Sequence, residues 1–167
     1  MDDFTTYIFD VSLNAINAHS KYLKIIVNKN NLYHLYLIDH GCGMTKKELA
    51  QIESPFYTTR TTRNVGLGLA LMTLLSDQTT GSHIFKSIKH IGSNIHFIFD
   101  YHHIDFPTEG DYGLLIADLM ANQTLKKLIF VYKNHHRKFK IILKTKNQFS
   151  RKKLIENINT EIKRVEG

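Results

Sequence analysis

The segment from Ile38 to Leu69 constrains this chain more than any other stretch. An apolar strand stops at Asp39-His40-Gly41-Cys42-Gly43-Met44, and a second glycine turn, Val65-Gly66-Leu67-Gly68-Leu69, opens an apolar helical run. Between them lies Ser54-Pro55-Phe56-Tyr57-Thr58-Thr59-Arg60, with Arg63 close behind. Glycine permits positive φ and close backbone approach. A helix that begins at such a turn directs unpaired N–H groups and the positive end of its dipole at an anion. Arg60 and Arg63 add fork-shaped charge suited to phosphate. The segment reads as a nucleotide pocket, but not as the phosphate loop that ends in Gly-Lys-Ser/Thr, because Leu69 follows Gly68.

The surrounding pattern sets the fold class. Ile8, Val11, Ala15 and Ala18 recur at helical spacing. Asp10, Asn14 and Asn17 then share one face of that helix, where a carboxylate and two amides can hold a divalent cation or a water. The plainer reading is that Asp10 complements the helix dipole and the asparagines are simply exposed. Lys21 to Val27 and Leu32 to Ile38 read as a hairpin around Asn28-Lys29-Asn30-Asn31. Thr45-Lys46-Lys47-Glu48 is a capping box that starts a short helix. A helix from about Gly66 to Asp77 and strands from His83 to Ile88 and Ser93 to Tyr101 follow. The order α-β-β-α-loop-α-β-β predicts a two-layer α/β sandwich, its sheet mixed but mostly antiparallel and its helices on one face. It does not alternate as a doubly wound nucleotide fold does.

Charge is unevenly distributed. Residues 1–125 carry 9 Lys+Arg against 12 Asp+Glu, a net of −3, and residues 126–167 carry 13 against 3, a net of +10. Such a basic tail suits nucleic acid, an acidic protein face or anionic lipid, and a solvated lysine-rich surface is the preferred reading. One cysteine forms no intrachain disulfide, and Met1-Asp2-Asp3 is acidic where a signal peptide is basic. With no apolar run of membrane-spanning length, a cytoplasmic protein is expected. The ten histidines are scattered without metal-site spacing, and Cys42 reads as a small packing residue.

Five elements in order resemble the Bergerat-fold (GHKL) ATPases: gyrase B subunits, heat-shock chaperones of the ninety-kilodalton class, histidine kinases and mismatch-repair ATPases. Phe9-Asp10-Val11-Ser12-Leu13-Asn14-Ala15-Ile16-Asn17-Ala18 resembles the N box, and Asp39-His40-Gly41-Cys42-Gly43-Met44 the first glycine box. Pro55-Phe56-Tyr57-Thr58-Thr59 resembles the aromatic box before the ATP lid. Gly66-Leu67-Gly68-Leu69 resembles the second glycine box, and Gly92-Ser93 stands where the family has Gly-Thr. The resemblance spans roughly residues 5–101 and is closest to small stand-alone bacterial ATP-binding proteins of the group.

The resemblance implies ATP and Mg²⁺ as ligands. Asn14 would bind the metal, and Asp39 would accept the adenine amino hydrogen. Gly41 and Gly43 would pass under the base, Met44 would pack on it, and Ser93 would support Asp39. Asn17 falls with the ATP-binding set. Thr58, Thr59, Arg60 and Arg63 would belong to a short lid, and Gly66, Leu67, Gly68 and Leu69 would present N–H groups to phosphate. Hydrolytic members place glutamate where this chain has Asp10, so Asp10 is expected to be a slow catalytic base, a Mg²⁺-shell ligand or only a structural residue, with weak hydrolysis preferred over none. Residues 1–104 then form the ATP-binding domain, and residues 105–167 a basic α-β-β-α extension that either lengthens the sheet or stands apart. The expected function is a weak ATPase that switches a protein partner. The alternatives are a kinase acting on a partner serine, and a non-catalytic nucleotide sensor whose basic tail docks on nucleic acid or acidic protein.

Overall fold

The computed structural model describes residues 3–53, 67–145 and 150–167. Among these the chain forms α1 (Phe4–Asn17), β1 (Tyr22–Lys29), β2 (Tyr33–Asp39), α2 (Lys46–Glu53), α3 (Leu67–Gln78), β3 (Ser82–Ile88), β4 (Gly92–Phe99), α4 (Tyr112–Ala121), β5 (Lys127–Asn134), β6 (Lys138–Lys144) and α5 (Arg151–Glu166). The strands make one sheet in the order β3-β4-β2-β1-β5-β6. Every pairing is antiparallel except that of β1 with β5. That parallel pair needs a crossover, and the intervening chain supplies α4.

Local chemistry sets the element ends. α1 begins at Phe4, earlier than apolar periodicity predicts, because Asp3 Oδ1 accepts the Thr6 N–H at 2.9 Å. The capping box of α2 is present in both directions. Thr45 Oγ1 accepts the Glu48 N–H at 3.2 Å, and Glu48 Oε2 accepts the Thr45 N–H at 2.7 Å. Asp111 caps α4 by accepting the Leu114 N–H at 2.8 Å.

Period-two alternation sends Leu23, Ile25 and Val27 of β1, Leu35 and Leu37 of β2, and Phe97 and Phe99 of β4 to one side of the sheet. There they share one core with Phe4, Ile8 and Val11 of α1, Met72 of α3 and Ile116 of α4. The tail joins this core. Leu128, Phe130 and Tyr132 of β5 and Leu154, Ile158 and Ile162 of α5 belong to the same cluster. Of the two arrangements open for residues 105–167, the structure has the sheet extended, with β5 beside β1 and β6 at the edge. Among the described residues no helix is long and apolar enough to cross a membrane.

Candidate nucleotide site

A cavity of about 750 Å³ opens where β2 ends, walled by α1, the turn after Asp39, α2, the start of α3, and β4. This volume lies in the range of small-molecule sites. Its floor is apolar: Leu37 and Ile95 face each other across the β2–β4 pair, with Leu23 and Leu69 beside them. Alternation alone would have placed Leu37 and Ile95 there, since both sit two residues from a site position on the same face.

Asp39 is the acid on this floor, at the last position of β2 and only 8% exposed. Its Oδ1 accepts the Gly41 N–H at 2.7 Å, and Ser93, its register partner on β4, adds a hydroxyl contact. Burial raises the Asp39 carboxyl above the ordinary aspartate value, and the bonds from Gly41 and Ser93 only partly offset this. A buried carboxylate with spare lone pairs is suited to accept from an amino group on a flat apolar ring.

The turn beyond Asp39 is clamped from two sides. The Cys42 N–H donates to the Ala18 carbonyl at 3.0 Å, and the His90 N–H donates to the Cys42 carbonyl at 2.7 Å. Gly43 sits at φ +57°, and a Cβ there would lie 2.0 Å from the Ile88 carbonyl oxygen. Glycine is therefore required for conformation and for space. Met44 lines the cavity, and its N–H donates to Ser87 Oγ at 2.8 Å. Ser87 Oγ also lies 3.0 Å from the Gly92 carbonyl and 3.0 Å from Ser93 Oγ. Sequence reasoning missed Ser87, which ties both glycine-containing turns to the strand that backs Asp39. Only the β3–β4 register, Ser87 opposite Ser93, could have found it.

Asn14 and Asn17 reach the cavity from successive turns of α1. Asp10 shares their helix face but is exposed and lies outside the cavity lining. Gly68 has a packing role. A Cβ there would meet Asp10 Cβ at 2.7 Å, so glycine lets the first turn of α3 sit directly on α1. Leu69 lines the cavity, and Leu67 begins α3. Thr58, Thr59, Arg60, Arg63 and Gly66 lie outside the described residues. Lys89 and Glu48, also missed, line the cavity and pair at 3.5 Å. Cys42, expected as a packing residue, is instead exposed at the cavity wall, because its backbone alone is held by the neighbouring turns.

The pattern that defines the family described as "Histidine kinase-, DNA gyrase B-, and HSP90-like ATPase" matches residues 2–103. A "Putative sensor protein" of Shewanella frigidimarina (strain NCIMB 400) is 36% identical over 91 residues, covering 52% of this chain and 14% of that protein. A solved structure titled "Crystal Structure of N terminal domain of a DNA repair protein" aligns with a TM-score of 0.58 at 13% identity. That alignment covers 92% of this chain and 56% of the other, and it bears on the fold alone. This chain thus spans a small part of the sensor protein's length and about half of the chain in that solved structure. The family match takes in α1, both described glycine turns and the β4 strand behind Asp39, so the chain belongs to the histidine kinase-, DNA gyrase B- and HSP90-like ATPase family and carries its ATP-binding domain.

Proposed function

We propose that the cavity binds Mg·ATP, that Asp10 supports slow hydrolysis, and that the bound nucleotide switches a protein partner. The observation that carries this reading is the buried Asp39, held by Gly41 above an apolar floor shaped for a flat base. Adenine, which offers an amino hydrogen to a carboxylate, fits there. Guanine would turn a carbonyl oxygen toward the same carboxylate and be rejected.

The donor set also fits the metal. Mg²⁺ takes few protein oxygens and completes its octahedron with phosphate and water. Asn14 and Asn17 bring carboxamide oxygens to the wall one turn apart, and Asn14 would hold the ion. Bound there, the metal would neutralise phosphate charge. The N–H groups at the start of α3 would face the same anion.

Asp10 would take a proton from the water that attacks the terminal phosphorus. It is exposed, outside the cavity lining, and one methylene shorter than the glutamate of hydrolytic relatives. A shortfall of about an ångström costs on the order of a hundredfold in rate. The test is Mg²⁺-dependent ATP binding by calorimetry together with phosphate release, on wild type, Asp10→Asn and Asp10→Glu. All three should bind ATP similarly, release should stop in Asp10→Asn, and Asp10→Glu should run faster than wild type. Equal release from wild type and Asp10→Asn would remove Asp10 from catalysis.

A further inference from the structure

The sheet face opposite the helices carries a second surface. Its residues follow from register. One row across the strands reads Lys140, Val131, Ile26, Tyr36, His96 and Ile84. The row beside it reads Lys138, Lys133, Asn28, His34 and Ile98. Lys24, Lys127 and Lys144 face the same way, because they alternate with the core residues Leu23, Leu128 and Leu143. Among the described strand residues on this face there is no Asp or Glu. Ile129 and Val131 are buried, at 8% and 5% exposure, yet they stand outside the cluster in which Leu128 and Phe130 pack with the helices. The helices therefore pack on the other side.

Two features share this face. The first is a field of lysines on β5 and β6, with Lys138, Lys140 and Lys144 exposed. The second is a column of flat rings in the middle strands. Tyr36 and His96 stack at 3.9 Å with 11° between planes, and His34 stacks on His96 at 5.4 Å and 21°. The imidazoles are linked, His34 Nδ1 to His96 Nε2, at 3.1 Å. Burial lowers both histidines below the ordinary value, with Lys133 adding to the effect at His34, so the rings are neutral at physiological pH. Tyr36 is three strands from Lys140, about 14 Å at the usual strand spacing.

We propose that this open sheet face binds single-stranded nucleic acid, with bases extending the Tyr36–His96–His34 ring column and phosphates meeting the lysines of β5 and β6. Parallel rings beside a basic field are the two parts of a strand-binding platform. A duplex keeps its base faces inside its own stack and cannot use the column. An anionic membrane or an acidic protein would use the lysines but would gain nothing from aligned planar rings. The surface lies across the sheet from the nucleotide cavity, so the proposal does not depend on ATP binding.

The test is fluorescence anisotropy of labelled single-stranded oligothymidine and oligouridine of about 20 nucleotides on the full chain, at about 50 and about 200 mM salt. Wild type should bind and should weaken at least about tenfold over that salt range. The double variant Lys133→Glu/Lys140→Glu should weaken binding at least about tenfold and flatten the salt dependence. Tyr36→Leu keeps an apolar side chain and should weaken binding about five- to tenfold with the salt slope unchanged. Lys152→Glu/Lys153→Glu, on the exposed side of α5, should have little effect. An unchanged far-ultraviolet circular dichroism spectrum and a cooperative thermal transition in each variant would show that it is folded. The proposal is overturned by no strand binding at low salt, or by tighter binding of a duplex. It also fails if loss follows the α5 variant and not the sheet variants, or if anionic vesicles bind this face and oligonucleotides do not.

Discussion

Asp39 carries its charge where the fold resists it. Its raised carboxyl means that the ionised form is costly in the folded chain, and that cost is present at neutral pH. Protonation relieves the cost as pH falls through the raised value, but it also removes the acceptor that adenine needs. Asp39→Asn keeps an oxygen for the Gly41 N–H and removes the charge. It should abolish ATP binding by calorimetry, while thermal unfolding of the nucleotide-free protein is unchanged or moves upward. A lowered Tm would instead make Asp39 a structural residue. In wild type, adenosine affinity should decline with falling pH over a window above that of an ordinary aspartate. Gly43 is the opposite kind of residue, fixed by space and not by charge. Gly43→Ala pays for positive φ, about 1–2 kcal/mol, and also forces the Ile88 carbonyl away. Its Tm should fall by several degrees, with ATP affinity lost in parallel as the turn shifts.

At the scale of elements, α5 is fastened by its last turn. Lys29 on β1 meets both Glu109 and Glu166, the latter at 3.0 Å, and the Tyr132 hydroxyl donates to Glu166 at 2.6 Å. Burial pushes the Glu166 carboxyl up, but the bonds from Tyr132 and Lys29 outweigh it and hold the group below the usual glutamate value. Burial likewise pushes Lys29 down, and the two glutamates outweigh that and raise it. A lowered carboxyl contributes stability above the unfolded value of 4.5, lost as pH falls through the folded value. The raised lysine contributes below 10.5 and fades as pH rises through its folded value. Glu166→Gln should therefore lower Tm at neutral pH and flatten its decline on the acid side, as read from thermal unfolding across pH. Elements of this kind were only partly legible. The Thr45–Glu48 box could be read directly, because its partners are three residues apart. Lys29 and Glu166 are not near in sequence, and neither are His34 and His96, which read as scattered histidines until the β2–β4 pairing placed them together. Asp39 was legible because a strand end, two glycines and a methionine follow one another. Ser87 was not, because its contacts come from two places far from each other in sequence, the turn at Met44 and the start of β4 at Gly92 and Ser93.

For the whole molecule, the decisive pairing is that of β1 with β5. Strand identity could be read from alternation, but strand order could not, because period two says which residues face inward and not which strand lies alongside. The family match ends at residue 103, yet the sheet does not end there. From Tyr22↔Lys127 to Lys29↔Asn134, β1 is hydrogen-bonded along its whole length to a strand beyond that boundary. Phe130, Tyr132 and Ile158 are fully buried in the cluster that also holds Phe4, Ile8 and Ile25. Removing residues 105–167 would expose the β1 edge and open this core on one side. Each large side chain lost from a core site costs about 2–5 kcal/mol, and a whole domain has only about 5–15 kcal/mol to lose. A chain ending at residue 104 should therefore fail to unfold cooperatively by circular dichroism and should not bind ATP, although it retains every described residue of the nucleotide cavity. Cooperative unfolding of that fragment with ATP affinity intact would instead make the basic tail an independent addition. The nucleotide pocket would then owe nothing to the strand that now lies against β1.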